Sequence, residues 1–361
     1  MTVSQAHCKL YVRFCSSQGP ARPRQDLKPR ACSAYDSSRM PILVRLIALP
    51  ALAALLVAAA DRPIPVILDT DIGDDIDDAL ALTFALQSPE LDVRAVNTVL
   101  QHRERRADLV WKILELYGRT DIPVGMGAEQ PLLTRPRSGP VRQTAALGAN
   151  ERMPDAKRHS GIQLLIDTCL RAPDKLTLVA YGPLTNVALA LKAEPRIQQK
   201  IARLVLMNGL FFKRTGIEYN TERDPEAAAI VFSSGLPITV VGLDVTMQCR
   251  LEPTDMERIE GSQLPNVKFL RELIRIWQDG RPEQRPVLHD PLAVGVTFRP
   301  ELVRTQTGRV DVETRGEPQR TYGMTLFRPD PNGAVRAASE VDAQQFVKLF
   351  MERLLSPPRR Q

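Results

Sequence analysis

The sequence predicts an α/β fold: a doubly wound, mostly parallel central sheet with helices on both faces. Three observations predict it. Short apolar runs of strand length alternate with segments of helical periodicity along most of the chain, the signature of repeated β-α units. Runs such as Leu176-Thr177-Leu178-Val179-Ala180 are apolar almost throughout, as strands covered on both faces must be. Clusters of polar, chemistry-bearing residues follow the ends of these runs, where parallel sheets bind their ligands.

Taken in order, Ile64–Leu68 reads as a buried strand and Ala79–Leu86 as a helix. Leu91–Val99 is a second strand, and Arg105–Leu116 carries apolar residues at helical spacing. Ile122–Gly127 is a short strand entering a loop, and residues 130–160, rich in Pro, Arg and Gly, form a long excursion. Gly161–Leu170 is a helix, Leu176–Ala180 a strand, and Val187–Lys192 a helix after the turn Tyr181-Gly182-Pro183-Leu184-Thr185-Asn186. Ile201–Met207 and Ile238–Leu243 are further strands. Leu270–Trp277 is amphipathic, residues 302–327 alternate like a β-ribbon, and Val341–Leu355 closes the chain as a helix.

At 361 residues, with 43% hydrophobic and 25% charged residues, the chain buries a sizeable core. Its net charge of +6 invites a nucleic-acid reading, but the charge is unevenly placed. Residues 1–60 hold eight Lys/Arg against two acids, so the whole excess lies there and the rest is neutral. A neutral body without a basic stripe argues against nucleic acid as a partner.

The first sixty residues divide in two. Residues 1–39 lack hydrophobic periodicity and read as a leader that is either disordered or not translated, with synthesis starting at Met40. Residues 40–60 have the layout of a secretory signal peptide: a positive start at Arg45, an apolar run from Leu46, and Ala58-Ala59-Ala60 before the cut. Fifteen apolar residues containing Pro50 are short for a spanning helix. The expected product is one catalytic domain over residues 61–361, secreted or periplasmic, with no stable membrane association after cleavage. Only Cys169 and Cys249 fall in that domain, without zinc-ligand spacing; a disulfide between them is left open.

Six of the ten residues from Asp69 to Asp78 are aspartates, all in one strand-to-helix turn. Carboxylates so close together repel unless a positive charge sits among them. A hard divalent cation suits all-oxygen ligation, calcium or magnesium best.

This turn, followed by Ala79-Leu80-Ala81-Leu82, is the first of four separated matches to one family. The second is Gly182-Pro183-Leu184-Thr185-Asn186 after an apolar strand. The third is Glu218-Tyr219-Asn220 followed by Asp224-Pro225-Glu226-Ala227-Ala228, and the fourth is His289-Asp290-Pro291 before an apolar helix. In order and spacing the set resembles the inosine-uridine-preferring nucleoside hydrolases. The resemblance implies a nucleoside-hydrolase-like fold with a Rossmann-like core, calcium, and hydrolysis of the N-glycosidic bond of ribonucleosides to free base and ribose. It implies a homodimer or homotetramer as well.

Carried over residue by residue, the family pattern makes Asp71, Asp78, the Tyr181 carbonyl and Asp290 the calcium ligands. Asp71 would also act as general base on a water held by calcium beneath the anomeric carbon. Asp77, Glu218 and Asn220 would bind ribose hydroxyls, Met207 would contact the sugar, and His289 would assist departure of the base. His102 stands where the family often has an asparagine on the ribose 5′ side. Asp74 and Asp75 look like a two-residue expansion of the family turn. Asp69, Asn186 and Asp244 are expected to tie loops together, and Asp224 to cap the helix starting at Pro225.

The stretch between Met207 and Glu218 departs from the pattern. Phe211, Phe212, Lys213 and Arg214 stand where a second asparagine is expected. A phosphorylated or otherwise modified riboside is therefore an alternative substrate, with Lys213 and Arg214 suited to phosphate. A different class of reading is a calcium- and ribose-binding protein without turnover. Asp69-Thr70-Asp71 also mimics the nucleophile turn of a haloacid-dehalogenase-type phosphohydrolase, a reading that leaves His289-Asp290-Pro291 unexplained.

Overall fold

The computed structural model describes residues 62–133, 141–213, 215–316 and 320–359. The leader, the signal peptide and Arg214 lie outside the described residues. Ten strands form one sheet: β1 (Ile64–Thr70), β2 (Leu91–Thr98), β3 (Val124–Met126), β4 (Arg158–Ser160), β5 (Leu176–Ala180), β6 (Ile201–Met207), β7 (Ile238–Val241), β8 (Val303–Val312), β9 (Thr325–Pro329) and β10 (Val335–Val341). Their spatial order is β4-β3-β2-β1-β5-β6-β7-β10-β8-β9. From β4 to β10 each neighbouring pair is parallel; β10–β8 and β8–β9 are antiparallel.

Each central strand feeds two cores, because successive side chains point to opposite faces. Val66, Leu68, Val179, Val205 and Met207 join one core, under helices that include Asp77–Gln87, Arg103–Leu116, Pro265–Gln278, His289–Phe298 and Ala343–Leu354. Ile67, Leu178, Ala180, Leu204 and Leu206 join the other, under Gly161–Arg171, Thr185–Ala193 and Pro225–Phe232. Both cores being apolar, the strands carry near-continuous hydrophobic sequence.

The chain winds outward from β1 to β4, then crosses back to lay β5 on the other side of β1. That reversal opens a crevice beyond the carboxyl ends of β1 and β5, the usual ligand position in such sheets. The Asp69–Asp78 turn and Tyr181 stand at its two lips.

The structure differs from the sequence expectation in particular elements. Residues 130–160 contain a short 3-10 helix, Arg142–Ala146, and end in β4. The ribbon expected over 302–327 is β8 and β9, but β10 follows it and inserts between β7 and β8. Val341 therefore ends a strand; the last helix starts at Ala343, where the Asp342 side chain accepts a hydrogen bond from the Gln345 N–H. The amphipathic helix begins earlier than expected, at Pro265, since proline at the first turn forfeits no helical hydrogen bond. Cys169 and Cys249 are both free and buried. No helix among the described residues is long and apolar enough to cross a membrane.

Candidate active site

Asp77 and Asp78 open the Asp77–Gln87 helix, where the amide dipoles favour negative charge. Asp290 opens the His289–Phe298 helix, and its N–H donates to Asp77 Oδ2 at 3.3 Å. One oxygen from each of Asp77, Asp78 and Asp290 lies within 4.8 Å of the others, and all three residues are buried. The Thr70 hydroxyl donates to Asp78 Oδ1 at 2.5 Å. Burial, then repulsion from neighbouring aspartates that include Asp71, raises the three carboxyls well above the ordinary range.

Asp71 adjoins the cluster but is not one of the three. Burial lifts its carboxyl to about 7, against the pull of the Arg106 guanidinium. Gly182, in the second motif, permits the approach: a Cβ there would lie 2.9 Å from both the Asp71 N and Oδ1.

These residues line a cleft of about 380 Å³ together with Tyr181, Met207, Glu218, Asn220 and His289. Of the residues singled out for substrate, catalysis or metal, the structure gathers all but His102. That residue takes a left-handed conformation at φ 60° just before the Arg103–Leu116 helix and is exposed. It does not line the cleft.

Two substrate candidates are already engaged. Glu218 Oε1 accepts from the Asn220 N–H at 2.7 Å; Oε2 accepts from the N–H groups of Gly209 and Thr221 at 3.0 and 2.9 Å, and from the Thr221 hydroxyl at 3.0 Å. Asn220 Nδ2 donates to the Met207 carbonyl at 3.1 Å and the Tyr181 carbonyl at 3.4 Å. Both side chains thus build the cleft wall as well as facing it.

His289 Nδ1 lies 2.7 Å from Thr246 Oγ1, which fixes the ring. Burial, and secondarily the Arg250 charge, holds its pKa down at about 4. The imidazole is therefore neutral at neutral pH.

The supporting residues tie loops as expected. Asn186 Nδ2 donates to Asp69 Oδ2 at 2.9 Å and to the Thr98 carbonyl at 3.1 Å, while its Oδ1 accepts from the Ala128 N–H at 2.8 Å. Asp224 caps the Pro225–Phe232 helix. Asp244 accepts from the backbone N–H groups of Phe211, Phe212 and Lys213, and Phe211 and Phe212 pack on Phe327. The Lys213 side chain is exposed and does not line the cleft.

Tyr219, Leu243 and Trp277 also line the cleft, and Trp277 is also packed against the core. Arg106 escaped sequence reasoning entirely. One signal existed: Arg106 falls on the apolar stripe of Leu109, Val110 and Ile113, so its helix buries it. A larger cleft, about 590 Å³, opens near the amino ends of β1 and β5, beside Pro65 and Leu176. Its Asp167 is already bonded to Gln163 and Arg171.

Comparison with known proteins finds relatives over most of the chain. A family model for the inosine-uridine preferring nucleoside hydrolases matches residues 66–348. The pyrimidine-specific ribonucleoside hydrolase RihA of Citrobacter koseri is 36% identical over 315 residues, spanning 81% of this chain and 98% of that protein. RihA of an Escherichia coli strain is 35% identical over 318 residues, with the same coverage. Among solved structures, a plant nucleoside hydrolase aligns with a TM-score of 0.71 at 30% identity, covering 82% of this chain and 100% of its own. A purine-preferring ribonucleoside hydrolase of Gardnerella vaginalis aligns with the same TM-score at 28% identity, covering 80% and 98%.

Proposed function

The chain belongs to the inosine-uridine preferring nucleoside hydrolase family and is a ribonucleoside hydrolase; from that premise we propose that it works with calcium held in the aspartate cradle and with Asp71 as general base. The observation that carries the metal reading is the buried trio Asp77, Asp78 and Asp290. Three desolvated carboxyls so close together require either protons or a cation, and an all-oxygen donor set suits a hard one. Asp71, Asp78, Asp290 and the Tyr181 carbonyl would hold it, with Asp77 left for a ribose hydroxyl. A divalent cation supplies Lewis acidity there, making a neighbouring water easier to deprotonate.

The chain's own residues do the rest. Asp71 takes the proton of the attacking water, whose oxygen forms the new bond to the anomeric carbon. The N-glycosidic bond breaks, and its electron pair leaves with the base. The buried carboxylates favour the positive charge that develops on the sugar ring. His289, neutral and fixed by Thr246, assists the departing base as a hydrogen-bond donor rather than as a resident imidazolium. Replacing it by alanine is expected to lower kcat by about 10²-fold on nucleosides and far less on p-nitrophenyl riboside, whose leaving group needs no proton. Equal losses on both would remove this role.

Uridine and cytidine are the leading substrates, because relatives that match over nearly their full length are pyrimidine-specific. The deciding experiment is ribose release by the purified protein from uridine, cytidine, inosine, adenosine and p-nitrophenyl riboside, with calcium and after chelation. Release that is lost on chelation and restored by calcium is the expected result. Release undiminished by exhaustive chelation would overturn the metal reading. The proposal includes export directed by residues 40–60, and a homodimer or homotetramer. Amino-terminal sequencing of the exported protein and its mass in solution decide these points.

A further inference from the structure

Two residues outside the aspartate turn take five successive backbone carbonyls within it. Arg106 Nη1 donates to the carbonyls of Asp71 and, at 2.9 Å, Ile72. The Gln143 N–H donates to the Gly73 carbonyl at 3.1 Å. Gln143 Nε2 donates to the Asp75 carbonyl and, at 3.4 Å, to that of Asp74. The remaining Arg106 nitrogens are also used: Nη2 donates to Asp74 Oδ2 at 2.8 Å and Nε to the Gln101 carbonyl at 2.8 Å. Arg106 is 2% exposed and Gln143 fully buried. The segment carrying Gln143 lies against the turn so closely that a Cβ on Gly73, at φ 121°, would meet Val141 Cγ1 at 2.1 Å.

We propose that Arg106 and Gln143 are positioning residues, which hold the backbone from Asp71 to Asp75 in its cation-ready shape before any cation arrives. This rests on reading the cleft as a cation site. Left alone, a turn bearing six aspartates would spread to separate its charges. Here its carbonyls are drawn outward onto two buried donor groups, while Asp71, Asp77 and Asp78 face the cleft. A guanidinium serves where an ammonium would not, since its planar fork reaches several acceptors at fixed angles. Ordering the turn in advance removes that cost from ion binding and so strengthens it. It also gives the 130–160 excursion a purpose, because its 3-10 helix delivers Gln143.

The test compares the full-length wild type with Arg106→Lys and Gln143→Met. Gln143→Met keeps the backbone N–H and roughly the buried volume, and so remains informative if Arg106→Lys folds poorly. Amide hydrogen exchange is followed in the calcium-free proteins, and calcium affinity by calorimetry. The turn peptide covering residues 70–78 should exchange slowly in the wild type and about tenfold faster in each variant, with the β5 peptide unchanged. The calcium Kd should rise about tenfold, and turnover of p-nitrophenyl riboside should recover at saturating calcium. Equal exchange of the turn in wild type and both variants would overturn the proposal, as would unchanged calcium affinity in folded variants. A wild type that binds no calcium would overturn the cation reading itself, and the exchange comparison would still decide the brace.

Discussion

Replacing Asp78 by alanine is expected to abolish calcium binding and to lower kcat/KM by about 10³-fold or more, the scale at which loss of an electrostatic partner of the reaction registers. The stability effect should run the other way. Without a cation, Asp78 is buried, repelled by Asp71 and Asp77, and itself raises the pKa of Asp290. Its removal relieves that repulsion and costs only the hydrogen bond from Thr70, about 1 kcal/mol. The chelated variant should therefore melt no lower than the chelated wild type, while the rise in Tm that calcium gives the wild type disappears. Thermal scans with and without calcium check both statements. A variant that keeps wild-type calcium affinity would end the assignment of Asp78 as a ligand.

Asp71→Asn is the second large effect. The amide is nearly isosteric, so the close packing against Gly182 survives. What is lost is the proton acceptor. The expected outcome is a kcat lowered by about 10²–10⁴-fold, the usual contribution of a positioned general base. Calcium affinity should fall less than in Asp78→Ala, because Asp71 stands beside the tight carboxylate trio rather than within it. Single-turnover rates and calorimetry on the same preparation separate the two losses. A kcat within tenfold of wild type would assign the base role elsewhere.

Much of the fold is legible in the sequence because strands such as β1 and β5, whose buried runs feed both cores, are largely apolar. β10 is not legible. Its sequence Val-Arg-Ala-Ala-Ser-Glu-Val has small residues of weak strand preference, and its place between β7 and β8 is fixed by partners far away in the chain. The site divides in the same way. Asp71, Asp78, Tyr181, His289 and Asp290 sit in short contiguous motifs at strand ends or helix starts, so local pattern finds them. Arg106 and Gln143 work through contacts 35 and 68 residues away in the sequence, beyond the reach of local pattern. His102 precedes a helix in a left-handed conformation, exposed and outside the cleft lining.

The position of β10 bears on how the molecule is made. It is last of the strands in sequence yet lies inside the sheet, parallel to β7. While a nascent chain has emerged only as far as β9, the outer edge of β7 has no native partner and offers bare amides and carbonyls to any passing strand. The ribbon of β8 and β9 cannot cover that edge in its native place, because β10 must dock first. The sheet therefore closes after synthesis has nearly ended, with pairings between distant segments that form slowly. Completion of the sheet thus waits on a segment near the carboxyl end of the described chain, and until it arrives the β7 edge stays open.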